Sequence, residues 1–110
     1  MKKIVARLMA LPLLLLSGPA NAWDASGDVN VIAVELTYMP NNILFIADRP
    51  VGTCAAGGFL GWAPQGATQS AKDQNAQAVL SALLTARANG TAVRVFITSS
   101  TCQVNHLYLL

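Results

Sequence analysis

Residues that usually carry chemistry are scarce in this 110-residue chain, which contains one histidine, two cysteines and only 11% charged residues. Zinc sites need closely spaced pairs of ligands, and this histidine and the two widely separated cysteines do not supply them. The carboxylate pair Asp24 and Asp28 lies in a polar stretch, which indicates a solvated segment rather than a calcium or acid–base site. The glycines Gly57, Gly58 and Gly61 are followed by neither a Lys-Ser/Thr pair nor a helix start, unlike a phosphate-binding loop. The sequence therefore predicts no metal and no cofactor.

The N-terminal segment has the pattern of a secretory signal peptide. Lys2, Lys3 and Arg7 form a basic start, and residues 8–16 are apolar apart from one proline. This run is shorter than the roughly 20 apolar residues that span a bilayer. It is followed by the small-residue pattern Ala20-Asn21-Ala22, which is typical of a cleavage site. The sequence predicts an exported, periplasmic or secreted protein whose signal peptide ends with this triplet.

Removal of the predicted signal peptide, residues 1–22, leaves one predicted domain over residues 23–110. That domain holds four basic and five acidic residues, a net charge of −1 with the histidine neutral. Nucleic-acid binding needs clustered cations that neutralise phosphates, and anionic membranes attract the same kind of patch. We therefore expect neither nucleic acid nor a membrane as a partner of the processed protein.

Two interpretations of the cysteines are open, a disulfide or a reactive thiol. Export places Cys54 and Cys102 where disulfides persist, and a domain this small has a thin core that gains from a covalent staple. A nucleophilic cysteine would instead need His106, the one histidine, and a helix N-terminus or a cation beside the thiol. The sequence predicts a Cys54–Cys102 disulfide, with a small enzyme using Cys54 and His106 as the alternative.

Alternating β-branched stretches separated by turn residues predict a mainly β domain with one helix. Strands are expected at residues 29–39, 43–48, 59–64, 91–100 and 104–110, and a helix at residues 71–88. Residues 23–28 are expected to form a polar N-terminal arm. The order β-β-β-α-β-β is that of a five-stranded OB-like barrel. An antiparallel sheet with the helix on one face is the alternative.

The helix has recognisable ends and one apolar stripe. Ser70, three residues before Asp73, approximates a capping box, and Asn89-Gly90 supplies a left-handed stop. The stripe expected to face the core consists of Ala76, Val79, Leu80, Leu83 and Leu84.

Aromatic side chains are the remaining candidates for binding a ligand. Trp62 follows a glycine in a short strand, Trp23 lies in the polar arm, and Tyr38 ends the first predicted strand. An exposed tryptophan beside amide and hydroxyl side chains suits stacking on a sugar ring or on a partner protein. Trp62 could instead be a core residue at the end of a barrel, and both interpretations stay open.

Four stretches resemble the B subunits of bacterial AB-type toxins of the subtilase-cytotoxin and typhoid-toxin kind. They are "AWDASGD", "VIAVEL", "LFIAD" and the helix end that runs into "ANGTAVRVFI". This resemblance implies a secreted OB-fold that assembles into rings and binds sialylated glycans. The chain departs from the family by lacking the long segment after the Val-Arg strand and the C-terminal cysteine pair, and no sugar-contacting residue can be matched. The layout is also similar to that of short exported proteins of Gram-negative bacteria with two cysteines, and membership in that set is favoured over a toxin subunit.

These observations together predict a non-enzymatic binding module for a glycan or a partner protein, and the toxin-subunit resemblance adds the expectation of a B-subunit-like homo-oligomer. The alternatives are a periplasmic inhibitor or accessory protein that adds its edge strand to a partner, and the Cys/His enzyme.

Overall fold

The computed structural model describes residues 23–110, which form six strands and one helix. The predicted signal peptide lies outside the described residues. The elements are β1 (Ala25–Val29), β2 (Val31–Glu35), β3 (Ile43–Ala47), β4 (Phe59–Trp62), α1 (Gln69–Asn89), β5 (Val93–Thr98) and β6 (Gln103–Leu109). The expected mainly β architecture with one helix is confirmed. Within residues 23–110 there is no helix both long and apolar enough to cross a membrane.

The strands form one mixed sheet in the order β1-β5-β6-β4-β3-β2. All neighbours pair antiparallel except β4 and β6, which run parallel and meet at Gly61 and Gln103. The expectation of five strands is wrong in detail, because the segment predicted as a polar arm forms β1 and pairs with β5. The alternative of an antiparallel sheet is wrong as well, because β4 and β6 are neighbours that run parallel.

The break between β1 and β2 falls at Asn30 and depends on Asp48. The Asp48 carboxylate accepts a hydrogen bond from the Asn30 backbone N–H (2.9 Å), and the Asp48 N–H donates to the Asn30 carbonyl (3.0 Å). The register with β3 then shifts between Val31 and Ala33. At its far end β2 stops at Glu35, four residues before the predicted end, where the Glu35 carboxylate accepts the Thr37 N–H. A local bulge and a side-chain-capped turn thus divide and shorten the predicted strand.

The sheet is strongly curled. Strands β1 and β2 lie at its opposite edges, yet a single residue joins them along the chain. A flat sheet of six strands would separate its edges by about 24 Å, whereas one residue spans at most about 3.6 Å. The edges therefore approach each other end to end at Asn30. In the described part of the chain they form no hydrogen-bonded ladder, so the sheet is not closed.

Helix α1 begins two residues earlier than predicted. The Thr68 hydroxyl, rather than that of Ser70, caps it by accepting the Ala71 N–H (3.1 Å). It ends as expected at Gly90, whose φ of 67° allows its N–H to bond the Ala86 carbonyl.

The core fills one face of the sheet and the inward side of α1. The helix contributes Ala76, Val79, Leu83 and Ala86, whereas Leu84 of the predicted stripe is 46% exposed. The strands contribute alternate residues, among them Phe45, Ile43, Val93, Val95, Ile97 and Val104. The residues between them face outward, which gives the sheet an outer surface that the helix does not cover.

Candidate functional site

Cys54 and Cys102 form a disulfide, as predicted. It joins the loop between β3 and β4 to the turn between β5 and β6, across 48 residues of sequence. Cys54 is buried and is held in a small bridge by two backbone hydrogen bonds to Val51 (2.9 and 3.0 Å). Neither cysteine is a free thiol, so the disulfide removes the nucleophile that the Cys54–His106 hypothesis required.

Gly52 is the residue of this loop that cannot carry a side chain. Its φ is 55°, and a Cβ atom there would lie 2.5 Å from the Ser99 Oγ and 2.7 Å from the Ala25 Cβ. The close approach brings the loop against β1 and against the β5–β6 turn, beside the disulfide. Gly52 thus lets the backbone pack closely next to the covalent link.

A polar cleft of about 400 Å³ lies where β4, α1 and β6 diverge. Trp62, Gln65, Asn75, Asn105 and His106 line it. Trp62 is only 7% exposed and belongs to the core, but its indole N–H reaches the cleft and donates to the Asn75 Oδ1 (2.8 Å). The Gln65 backbone N–H donates to the same oxygen (2.9 Å). Asn75 therefore ties the end of β4 to the first turns of the helix.

These hydrogen bonds fix the orientation of two cleft amides. Both groups that reach the Asn75 Oδ1 are pure donors, so the Asn75 NH₂ must lie on the other side of the amide. The Gln65 Nε2 donates to the Ala63 carbonyl (3.0 Å), which reserves the Gln65 Oε1 as an acceptor. In a third amide, that of Asn105, the Oδ1 accepts from the Thr98 hydroxyl (2.9 Å), and in this arrangement the NH₂ is the group that can donate to a ligand. Within residues 23–110 these two NH₂ groups and this oxygen make no further hydrogen bond.

An aromatic patch lies next to the cleft, on the outer surface of β5 and β6. We define it as Trp23, Phe96, His106 and Tyr108. The Phe96 ring lies 4.8 Å from that of Trp23, 5.6 Å from that of Tyr108 and 6.0 Å from that of His106, centroid to centroid. Trp23 is 45% and Tyr108 is 53% exposed. Because His106 belongs to both the cleft and the patch, the two form one continuous surface.

The arginine beside this surface is already paired with a carboxylate. Arg94 lies between Asp28 and Tyr108 in the sheet register and donates to both Asp28 oxygens (2.7 and 3.1 Å). This hydrogen-bonded ion pair lowers the pKa of Asp28 and raises the pKa of Arg94. Farther away, hydrogen bonds from Arg49, followed by that from the Asn30 backbone, hold the pKa of Asp48 far below its usual range.

The predicted site residues lie in three different places. Trp23 is exposed in the aromatic patch, and Trp62 is a buried residue that supports the cleft. Tyr38 is 57% exposed in the turn after β2 and lines neither surface. The next residues of that turn, Pro40 and Asn41, line a separate groove of about 210 Å³.

The amides of the cleft were missed at the sequence level. Asn75 and Asn105 are separated by 30 positions, lie on a helix and a strand, and belong to no motif. The aromatic patch could have been predicted from the alternation of residues along two strands. Phe96 alternates with the buried valine and isoleucine of β5, and His106 and Tyr108 lie two positions apart on the same side of β6.

Among residues 23–110 no group of three or more His, Cys, Asp or Glu side chains is placed to hold a metal ion. In comparisons with known proteins, the chain matches no family model, no curated protein and no solved structure.

Proposed function

We propose that this protein is an exported, non-enzymatic glycan-binding module whose sugar site is the polar cleft. The observation that carries the proposal is the double hydrogen bond to the Asn75 Oδ1. It holds the Asn75 amide with its NH₂ free, beside the Trp62 indole. Uncharged donors and acceptors held in advance suit a ligand rich in hydroxyl groups, since each hydroxyl can donate and accept.

The dimensions and chemistry of the cleft support this choice. Its volume of about 400 Å³ falls within the range of small-ligand sites, roughly 300 to 1,000 Å³. The Gln65 oxygen offers an acceptor, and the Asn75 and Asn105 amides offer donors. No carboxylate lines the cleft, and the two cysteines are bonded to each other. Recognition is therefore better supported than acyl transfer or acid–base chemistry.

The proposal includes an OB-like barrel as the scaffold. If β1 and β2 are counted as one strand bent at Asn30, the six strands become five and the pairing order returns to its starting strand. A partly open five-stranded barrel of this kind binds oligosaccharides in other proteins. The single-residue link and the hydrogen bonds between Asn30 and Asp48 support this description.

Export is supported by the disulfide. Structural disulfides form and persist in oxidising compartments such as the periplasm or the extracellular space. The Cys54–Cys102 bond therefore agrees with the signal-peptide pattern of the N-terminal segment.

The experiment is a glycan array probed with protein expressed from the full coding sequence, so that any processing takes place in the cell. A bound glycan is then titrated against Asn75→Asp. This substitution keeps an oxygen for Trp62 and Gln65 but removes the NH₂ donor and adds a negative charge. Asn89→Asp, on an exposed residue at the far end of α1, is the matched control for charge.

We expect Asn75→Asp to weaken binding about tenfold, the effect of losing one well-placed hydrogen bond to a neutral group. The control should bind like the wild type, and both variants should keep the near-UV circular dichroism of the wild type. Failure of the wild type to bind any glycan, or unchanged binding by a folded Asn75→Asp variant, would refute the proposal.

A further inference from the structure

The polar cleft and the aromatic patch share a side chain, His106, so a ligand that fills one is adjacent to the other. Phe96 is the centre of the patch, with the rings of Trp23, His106 and Tyr108 around it. Trp23 and Tyr108 keep about half of their surfaces exposed. Large aromatic surfaces of this kind are costly to leave in water unless something covers them.

The surface also offers little to an anionic ligand. The arginine within the patch region, Arg94, donates to both oxygens of Asp28, so its positive charge is already paired with a carboxylate. In the described chain Arg87 donates to the Ile32 carbonyl, and Arg49 is paired with Asp48. Among the described residues neither lysine nor arginine lines the cleft itself, and His106 is its one titratable side chain.

Lys72 is the basic residue that lies closest in sequence to the cleft residue Asn75. It lies three positions before Asn75 on α1, but it lines the separate groove with Pro64 and Gln69 and not the cleft. Lys72 therefore belongs to the lining of the other groove and not to that of the cleft.

On the basis of the proposed function, we infer that the ligand is an uncharged oligosaccharide of at least two sugar units. One unit occupies the polar cleft and is held by its amides. The next unit lies past His106 against the aromatic patch, where its C–H face packs on Trp23 and Tyr108. This differs from the sialylated glycans that the toxin-subunit resemblance implies, because a carboxylate would find no unpaired guanidinium within the cleft or the patch.

The test uses isothermal titration calorimetry to compare the affinities of three probes. All three are derived from one glycan that binds on the array. They are an uncharged oligosaccharide, its cleft-binding monosaccharide, and the same oligosaccharide carrying a terminal sialic acid or sulfate. Each is titrated into wild type, Trp23→Ala and Tyr108→Ala. Phe59→Ala is the matched control, because Phe59 is an equally exposed aromatic on a strand outside the patch.

We expect each patch variant to bind the oligosaccharide about threefold to tenfold more weakly, the worth of one aromatic packing contact. Binding of the monosaccharide should not change, and Phe59→Ala should behave like the wild type. Affinity for the uncharged probe should be independent of ionic strength, since no charge is screened.

Preferential binding of the acidic probe, with loss of that preference in Lys72→Gln, would overturn the inference and leave the glycan-binding proposal intact. Equal loss of mono- and oligosaccharide binding in the patch variants would also overturn it. Absence of binding to every glycan would instead refute the proposed function.

Discussion

Removing the disulfide should lower the free energy of unfolding by about 4 kcal/mol. The change is the double substitution Cys54→Ala and Cys102→Ala. The bond closes a loop of 48 residues, and the chain-entropy relation gives an entropy of roughly 14 cal/mol/K for a loop of that length. At 25 °C this amounts to about 4 kcal/mol, a large share of the roughly 5–15 kcal/mol by which domains are stable.

The assay is urea unfolding followed by tryptophan fluorescence, which reports on the buried Trp62. Wild-type protein with and without a reductant is compared with the double variant in both conditions. We expect the reductant to lower the midpoint of the wild type to near that of the variant, and to leave the variant unchanged. Because Cys54 is buried, the loss of its sulfur packing adds roughly 1 kcal/mol.

A loss of less than about 1 kcal/mol would refute the loop-entropy reasoning. It would mean that the unfolded chain stays compact around this loop even without the covalent link. If the reductant lowered the urea midpoint of the double variant as much as that of the wild type, its effect would not come from breaking this disulfide.

Three further predictions concern folding stability. Thr68→Ala should cost about 1 kcal/mol of unfolding free energy and Ser70→Ala much less, because the threonine hydroxyl caps α1; thermal unfolding of both variants would show a reversed order if this were wrong. Leu83→Ala should lower the unfolding free energy by about 2–5 kcal/mol, whereas Leu84→Ala, at an exposed position, should lower it by under about 1 kcal/mol. Equal losses of unfolding free energy in urea would contradict the assigned core. The pKa of Asp48 is lowered in the folded state by the neighbouring arginine, so its ionised form stabilises the fold above about pH 4, and this contribution is lost as the pH falls. The variant Asp48→Asn should therefore lose less stability on acidification than the wild type. An unchanged dependence of unfolding free energy on pH would argue against the pairing.

Local sequence patterns predicted the elements whose formation depends on neighbouring residues. Val93, Val95 and Ile97 alternate in sequence and are fully buried on one face of β5. Gly90 ends α1 because its left-handed conformation is favourable only for a residue without a side chain. Both outcomes follow from backbone geometry over a few residues.

The errors arose where a distant residue decided the local structure. The predicted first strand is interrupted at Asn30, since Asp48, the residue that follows β3, forms hydrogen bonds with its backbone. The segment before it, polar in sequence, became β1 because β5 supplies partners for its backbone groups. Neither contact leaves a trace within a short window of sequence.

Sequence patterns correctly predicted a mainly β domain with one helix and a disulfide between two cysteines that lie 48 positions apart. Periodicity and turn residues act over a few positions, and two cysteines allow a single intramolecular pairing. The folded chain alone shows that Trp62 is buried with its N–H bonded to Asn75, and that amides from a helix and a strand meet beside an aromatic surface. Such a site depends on how α1 packs across the ends of β4 and β6, and no local sequence pattern encodes a contact between elements so far apart in the chain.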